Sequence, residues 1–180
     1  MRVDNRVRIV GGAWRSRVIR FPGHFSIRPT PDRVRETLFN WLGQTLREKR
    51  CLDLFAGSGA LGFEAASRGA GRVTMVESNR EVAQSIKENA KVLGCDRLDL
   101  VVADALKFVV SDPGTYDVIF LDPPFDKGFL PQLWPHLPAR LAQGGVVYVE
   151  SGEALDIPEG WSMVKQGRAG KVHYGLLSCR

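Results

Sequence analysis

Long apolar runs are missing from this 180-residue chain: none reaches the roughly 18 residues that a membrane span needs. The N-terminal stretch is arginine-rich but lacks the apolar core of a secretory signal, and its VRIV pattern is strand-like rather than that of a transit peptide. Cysteine is scarce. Cys51, Cys95 and Cys179 are an odd number with no CxxC pair, which argues against a disulfide framework or a zinc site and for a reducing compartment. A cytoplasmic protein is expected, with all three thiols acting as small semi-buried hydrophobes. The three histidines lack metal-ligand spacing, and His173 in KVHYG reads as a strand residue, so no metal is expected. Internal repeats and low-complexity tracts are absent as well. The remaining composition, 44% apolar and 25% charged, is that of one globular domain with a proper core.

Lysine is missing from the first 48 residues. Residues 1–50 hold twelve Lys/Arg against four Asp/Glu, a net of +8, whereas residues 51–180 hold thirteen against sixteen, a net of −3. The basic character is thus confined to one end and carried almost entirely by arginine. The planar guanidinium fork suits phosphate because it bonds two oxygens at once. An arm that faces nucleic acid is expected, with Arg8, Arg15, Arg17, Arg20, Arg28, Arg33 and Arg35 as candidate contacts.

Two patterns divide the chain. Within residues 1–50, VRIVGG and SRVIRF alternate apolar and charged residues around GGAWR, which predicts a hairpin or a pair of short strands. A helix follows in RPTPDRVRETLFNWL. Thr30 is its expected N-cap, Pro31 its first position, and Val34, Leu38, Trp41 and Leu42 its apolar stripe. From 51 to 180, short apolar strands alternate with amphipathic helices: CLDLF, RVTMVE, LDLVV, YDVIFL and GVVYVE are strands. A proline-broken helix is expected near 129–142, and WSMVKQG and KVHYGLLSC read as antiparallel strands that finish the sheet. The pattern predicts an α/β fold, a mostly parallel sheet of seven strands with helices on both faces. Residues 1–50 are expected to form an appendage to this core.

The first core strand runs into DLFAGSGALG, where Gly57, Gly59 and Gly62 match G-x-G-x-x-G and Glu77 ends the next strand. One reading is a dinucleotide site, with pyrophosphate on the helix N-terminus. The other is S-adenosylmethionine (SAM), which has a ribose and an adenine but no phosphate. Asp53 favours SAM, because a carboxylate just ahead of the glycines would repel pyrophosphate but suit an α-ammonium. Glu77 can accept from both ribose hydroxyls, and Asp104 from the adenine amino group. All three acids stand at the carboxyl edge of the expected parallel sheet, where such folds bind ligands.

The fourth strand ends in the stretch LDPPF, residues 121–125. An exocyclic amino nitrogen on a base is a poor nucleophile, since its lone pair is delocalised into the ring. A site helps by offering its NH2 group only acceptors, so that the lone pair is aimed at the methyl. Asp122 supplies a carboxylate, Pro123 a carbonyl without an N–H, and Pro124 a stiff continuation without one either. Phe125 can stack on the flat base. Orientation and placed charge would do the catalysis. A paired base cannot reach such a pocket, so it must be single-stranded, in a loop, or flipped out.

Together, RIVGGAWRSRVI, RPTPDRVRETLFNWL, CLDLFAGSGALGFEA, VTMVESNR, DVIFLDPPF and VVYVE resemble the bacterial 16S ribosomal RNA guanine-N2 methyltransferases of the RsmD type. The resemblance covers nearly the whole chain and is weakest after Ser151. It implies a Rossmann-like class I SAM-dependent methyltransferase, with S-adenosyl-L-homocysteine (SAH) as product and no metal. It implies methylation of N2 of one guanine in 16S rRNA, on the 30S particle rather than on naked RNA. A monomer is expected. Mapped onto this sequence, the cofactor roles fall on Asp53, Phe55, Ala56, Gly57, Ser58 and Gly59, on Glu77 with Ser78, and on Asp104 with Ala105. Thr30 and Pro31 would pack beside the cofactor, and Asp122, Pro123, Pro124 and Phe125 would be catalytic. A carboxylate could take N1–H and N2–H of guanine together, yet adenine-N6 enzymes also carry a DPP-aromatic motif. The alternatives are therefore a DNA adenine-N6 methyltransferase, for which 180 residues leave no separate target-recognition domain, and a non-catalytic RNA-binding module.

Overall fold

Strands that read as continuous apolar runs are covered on both faces, as parallel strands usually are. The computed structural model describes residues 4–180. Its main sheet has seven strands in the spatial order β5-β4-β3-β6-β7-β9-β8. These are β3 (Arg50–Asp53), β4 (Arg72–Glu77), β5 (Leu98–Val102), β6 (Tyr116–Leu121), β7 (Leu141–Ser151), β8 (Trp161–Ala169) and β9 (Val172–Cys179). The pairs from β5 through β7 are parallel, and β9 runs antiparallel to both of its neighbours. Strand order reverses beside β3, the topological switch point at which such sheets bind ligands.

Alternation along the strands builds two cores. Cys51, Met75, Phe120, Tyr148 and Leu176 face one side; Leu52, Val76, Leu121, Val149 and Leu177 face the other. The first layer is covered by α1 (Asp32–Trp41), α2 (Ala60–Ser67) and α3 (Arg80–Leu93). The second is covered by α4 (Ala105–Ser111) and α5 (Phe129–Leu133), followed by two short 3-10 turns up to Arg140. The broken 129–142 segment is thus α-helical only at its start, because Pro135 and Pro138 each remove a backbone donor that a continuing α-helix would need.

The arm forms a hairpin of β1 (Asp4–Arg8) and β2 (Val18–Pro22), and Val7, Ile9, Ile19 and Phe21 join the first core. The hairpin strand is shifted toward the N-terminus relative to the sequence expectation, which centred it on VRIV. The GGAWR loop docks on α2. Glu64 accepts from the Val10 and Gly11 N–H groups, and Ser67 Oγ accepts from Trp14 N–H at 2.9 Å while donating to the Gly11 carbonyl at 2.6 Å. Gly12, at φ 79°, lies so close to the Ser67 carbonyl that a Cβ would overlap it. On the other side, Asn89 of α3 bonds the Arg20 backbone with both ends of its amide.

Three sequence expectations change here. Thr30 is not the cap of α1: Pro31 occupies that position, without a side-chain bond, and Thr30 is turned into the core. Arg35 is not at the surface. Its side chain is 0% exposed and donates to Glu64 Oε2 at 3.0 Å, to the Arg8 carbonyl at 2.7 Å and to Asp32, so it cannot meet RNA. Cys179 is exposed at the end of β9, whereas Cys51 is buried and Cys95 half-buried.

Candidate active site

The carboxyl ends of β3, β4, β5 and β6 deliver Asp53, Glu77, Asp104 and Asp122 to one cavity of about 440 Å³. The glycines shape its floor. Gly57 has φ 53° and Gly59 φ 83°, both in the left-handed region that glycine adopts without strain. Gly59 begins α2, where a Cβ would meet the Phe63 ring at 2.8 Å. Gly62 lets α2 approach Met75 on β4 and donates its N–H to Asp53 Oδ2 at 3.1 Å. Gly57 donates to Glu77 Oε2 at 2.8 Å, and Asn79 N–H reaches Glu77 Oε1 at 3.0 Å. One glutamate therefore ties the glycine loop to β4 and still presents lone pairs to the cavity. Asp104 serves twice as well, since its Oδ1 caps α4 by accepting from Lys107 N–H at 3.0 Å.

Asp53 is the least satisfied acid. It is 1% exposed, and its Oδ1 has no hydrogen-bond partner among the described residues. Burial pushes its carboxyl up to about 7, helped by the charges of Glu77 and Glu150, against the bonds from the Gly62 and Phe55 backbone. A buried acceptor of this kind costs stability unless something donates to it. A cation at that oxygen would relieve it.

Asp122 behaves similarly. Burial raises its carboxyl well above the usual range, followed by the neighbouring Glu150 and the charge of Asp53. Glu150 was read only as the end of the strand GVVYVE. Parallel pairing of Leu121 with Val149 sets the next residues, Asp122 and Glu150, side by side.

A second cavity, about 570 Å³, opens on the other side of the DPPF stretch and shares Pro123, Pro124, Phe125 and Phe129 with the first. Trp134, Glu150, Glu153 and Asp156 also line it, and no Lys or Arg does among the described residues. Phe125, 51% exposed, lies at the junction.

The first cavity thus gathers Thr30, Phe55, Ala56, Ser58, Ser78 and Ala105 with the acids, and all of LDPPF beyond Leu121. Pro31 and Gly59 do not line it; they stand at the N-cap positions of α1 and α2. Lining residues the sequence reading missed include Ile27, Pro29, Leu61 and Lys127. Arg28, expected on RNA, is exposed and stands at the rim of this cavity. Arg8, Arg15, Arg17, Arg20 and Arg33 are exposed, and Arg17 Nη2 also reaches the Val92 carbonyl at 3.3 Å.

The family model described as "Conserved hypothetical protein 95" matches residues 7–178. An Escherichia coli K12 protein named "Ribosomal RNA small subunit methyltransferase D" is 40% identical over 178 residues, covering 96% of this chain and 90% of that one. The chain belongs to this RsmD-type methyltransferase family. A solved E. coli structure described as "Putative methyltransferase yhhF" superposes with a TM-score of 0.88 at 40% identity, covering 97% of this chain and 98% of that one. A Bacillus subtilis relative, "Putative rRNA methyltransferase YlbH", is 32% identical over 85% of this chain and 86% of its own length. The fold is accordingly the Rossmann-like class I methyltransferase fold, and methyltransferases imply SAM. The orphaned Asp53 oxygen, the close-approach glycine at 57 and the acceptor acids Glu77 and Asp104 fit an ammonium, a ribose and an adenine. Among the described residues no cluster of His, Cys, Asp or Glu is arranged to hold a metal ion, and no helix is long and apolar enough to cross a membrane.

Proposed function

We propose that this protein transfers a methyl group from SAM to the exocyclic N2 of a guanine in 16S rRNA, acting on the 30S particle. The observation that carries the reading is the position of Pro123 to Phe125 between two cavities, one lined by Asp122 and the cofactor-type acids and the other, of about 570 Å³, with room for a flipped base. The bound cofactor would supply an electrophilic methyl on a sulfonium. The chain would do the rest. Asp53 would take the α-ammonium, Glu77 the ribose hydroxyls and Asp104 the adenine amino group. Asp122 and the Pro123 carbonyl would hold the acceptor NH2 by its hydrogens, aiming the nitrogen lone pair across the junction. Phe125 would stack on the base, and displacement of water from both cavities would strengthen these contacts.

Guanine is favoured over adenine by the second cavity. Guanine offers adjacent N1–H and N2–H donors, whereas adenine offers a lone pair at N1. A lining with Glu150, Glu153 and Asp156 and no cation accepts donors and repels lone pairs. The rRNA substrate is supported by the names of the relatives at 40% and 32% identity and by the exposed arginines of residues 1–50. That arm would hold the phosphate backbone while the core does the chemistry.

The test is methylation with labelled SAM, offering 30S particles, naked 16S rRNA and DNA from cells lacking the enzyme, with the labelled nucleotide mapped. Label on N2 of a single guanine, strongest on the particle, is expected. Label on adenine N6, or on DNA, would overturn the assignment.

A further inference from the structure

Glu150 lines the second cavity and is a 3% exposed carboxylate at the centre of the site. Its Oε1 accepts two hydroxyls, from Thr30 Oγ1 and from Tyr148, each at 2.7 Å. Burial and the Glu150 charge push the Tyr148 phenol well above its usual range, so it remains a donor. Asp122 and Glu150 directly follow the paired residues Leu121 and Val149, so the two carboxylates stand on the same face of adjacent parallel strands. Glu150 is buried and Asp122 half-buried at the cavity wall, and neighbouring carboxyls in such a setting resist double ionisation, so one proton between them is the favoured arrangement. With both hydroxyls on Glu150, that proton rests on the Asp122 side.

We propose that Glu150 is a positioning residue acting through Asp122: the pair holds one proton, releases it when the cationic cofactor binds, and takes up the proton that the acceptor amine gives off. This rests on the SAM reading of the first cavity. SAM carries one more positive charge than SAH, at the sulfonium, which must face Asp122 for transfer to occur. The α-ammonium is common to both ligands and faces Asp53. With SAM bound, the pair is fully ionised and Asp122 is a pure acceptor for the NH2 group. On transfer, the acceptor nitrogen forms its bond to carbon as the C–S bond breaks, leaving that electron pair on sulfur. The nitrogen then carries a positive charge. Its N–H bond breaks toward a carboxylate oxygen, an O–H bond forms, and a neutral secondary amine remains. Loss of the sulfonium charge at the same moment makes the pair ready to accept. The other charged or titratable groups around the pair are Asp53 on β3, Glu77 on β4, Tyr148 on β7 and Tyr174 on β9, with Asp104, Arg28 and Lys127 at the cavity wall.

Titration calorimetry of the full chain with SAM and with SAH, in two buffers of different ionisation enthalpy near pH 7, counts the protons released. SAM is expected to release more than SAH, by roughly half a proton or more. Glu150→Gln is expected to erase the difference while SAH affinity stays within about threefold, a change that loss of packing alone would not produce. Equal release in the native protein, or a difference that survives in Glu150→Gln, would overturn the inference alone. Failure of both ligands to bind would overturn the cofactor reading with it. Should Glu150→Gln not fold, Tyr148→Phe removes one hydroxyl from the carboxylate and is expected to move the pH of greatest difference upward; an unmoved profile would count against the pair.

Discussion

Arg35 Nη1 lies 3.0 Å from Glu64 Oε2, with neither side chain open to solvent. The same glutamate accepts from the Val10 and Gly11 N–H groups and from Arg68 Nε. The arginine reaches the Arg8 carbonyl at 2.7 Å. One ion pair therefore fastens the hairpin, α1 and α2 to each other, and the arm owes its attachment to a residue that composition alone would assign to RNA.

Truncating either partner leaves a buried charge only partly compensated, Glu64 by Arg68 or Arg35 by Asp32. Arg35→Ala or Glu64→Ala is expected to cost about 3–5 kcal/mol in denaturant unfolding, far more than an exposed ion pair. An Arg35→Ala protein of unchanged stability would contradict the burial described here.

Removing the acceptor carboxylate should separate chemistry from binding. Asp122→Ala is expected to lower the methyl-transfer rate by on the order of 10²–10³-fold. SAH should still bind, since Asp53, Glu77 and Asp104 are untouched. Near-native turnover in this variant would remove Asp122 from the mechanism.

Asp53 ties stability to pH with an unusual sign. Its carboxyl titrates at about 7 in the folded chain and near the ordinary 3.8 when unfolded. Between those values the folded state holds a proton that the unfolded state has released. Its contribution therefore favours folding at low pH, declines as pH rises through that window, and is level above it, a span of a few kcal/mol. Thermal melts of the ligand-free protein should show Asp53→Asn losing less stability than the native chain between pH 5 and pH 7. Parallel curves for the two proteins would refute the assignment.

The exposed arginines should act through phosphate alone. Neutralising Arg15 and Arg17 together is expected to weaken rRNA binding and make the slope of log affinity against log salt shallower by roughly 1.5. Filter binding across salt concentrations measures it, and an unchanged slope would take both residues out of the interface.

Phe125→Ala tests the stacking platform. A loss of about 1–3 kcal/mol in kcat/KM is expected, because base–aromatic stacking is of that size. A native kcat/KM would mean that Phe125 packs on Gly152 without touching the base.

Local chemistry made much of this architecture readable from the chain. Apolar runs such as YDVIFL needed cover on two faces, and the breaks in them marked the strand ends where Asp53, Glu77, Asp104 and Asp122 stand. The glycine loop was readable because positive φ and close packing leave few other residues possible at Gly57, Gly59 and Gly62. Errors arose where one side chain had two plausible partners. Thr30 has the chemistry of a helix cap and was read as one, but its hydroxyl is spent on Glu150, 120 positions away.

Long-range pairing alone decided the rest. Arginine density does not say which guanidinium will be enclosed, and only the docking of the hairpin on α2 set Arg35 against Glu64. Likewise, DPPF points to the proposed acceptor cradle by its own composition, because proline has no N–H and an ionised aspartate only accepts. That a second carboxylate stands beside it depends on the register of β6 against β7, which places Glu150 next to Asp122. Sequence spacing carries no record of such a register, since it is set by how two strands and the layers over them pack together.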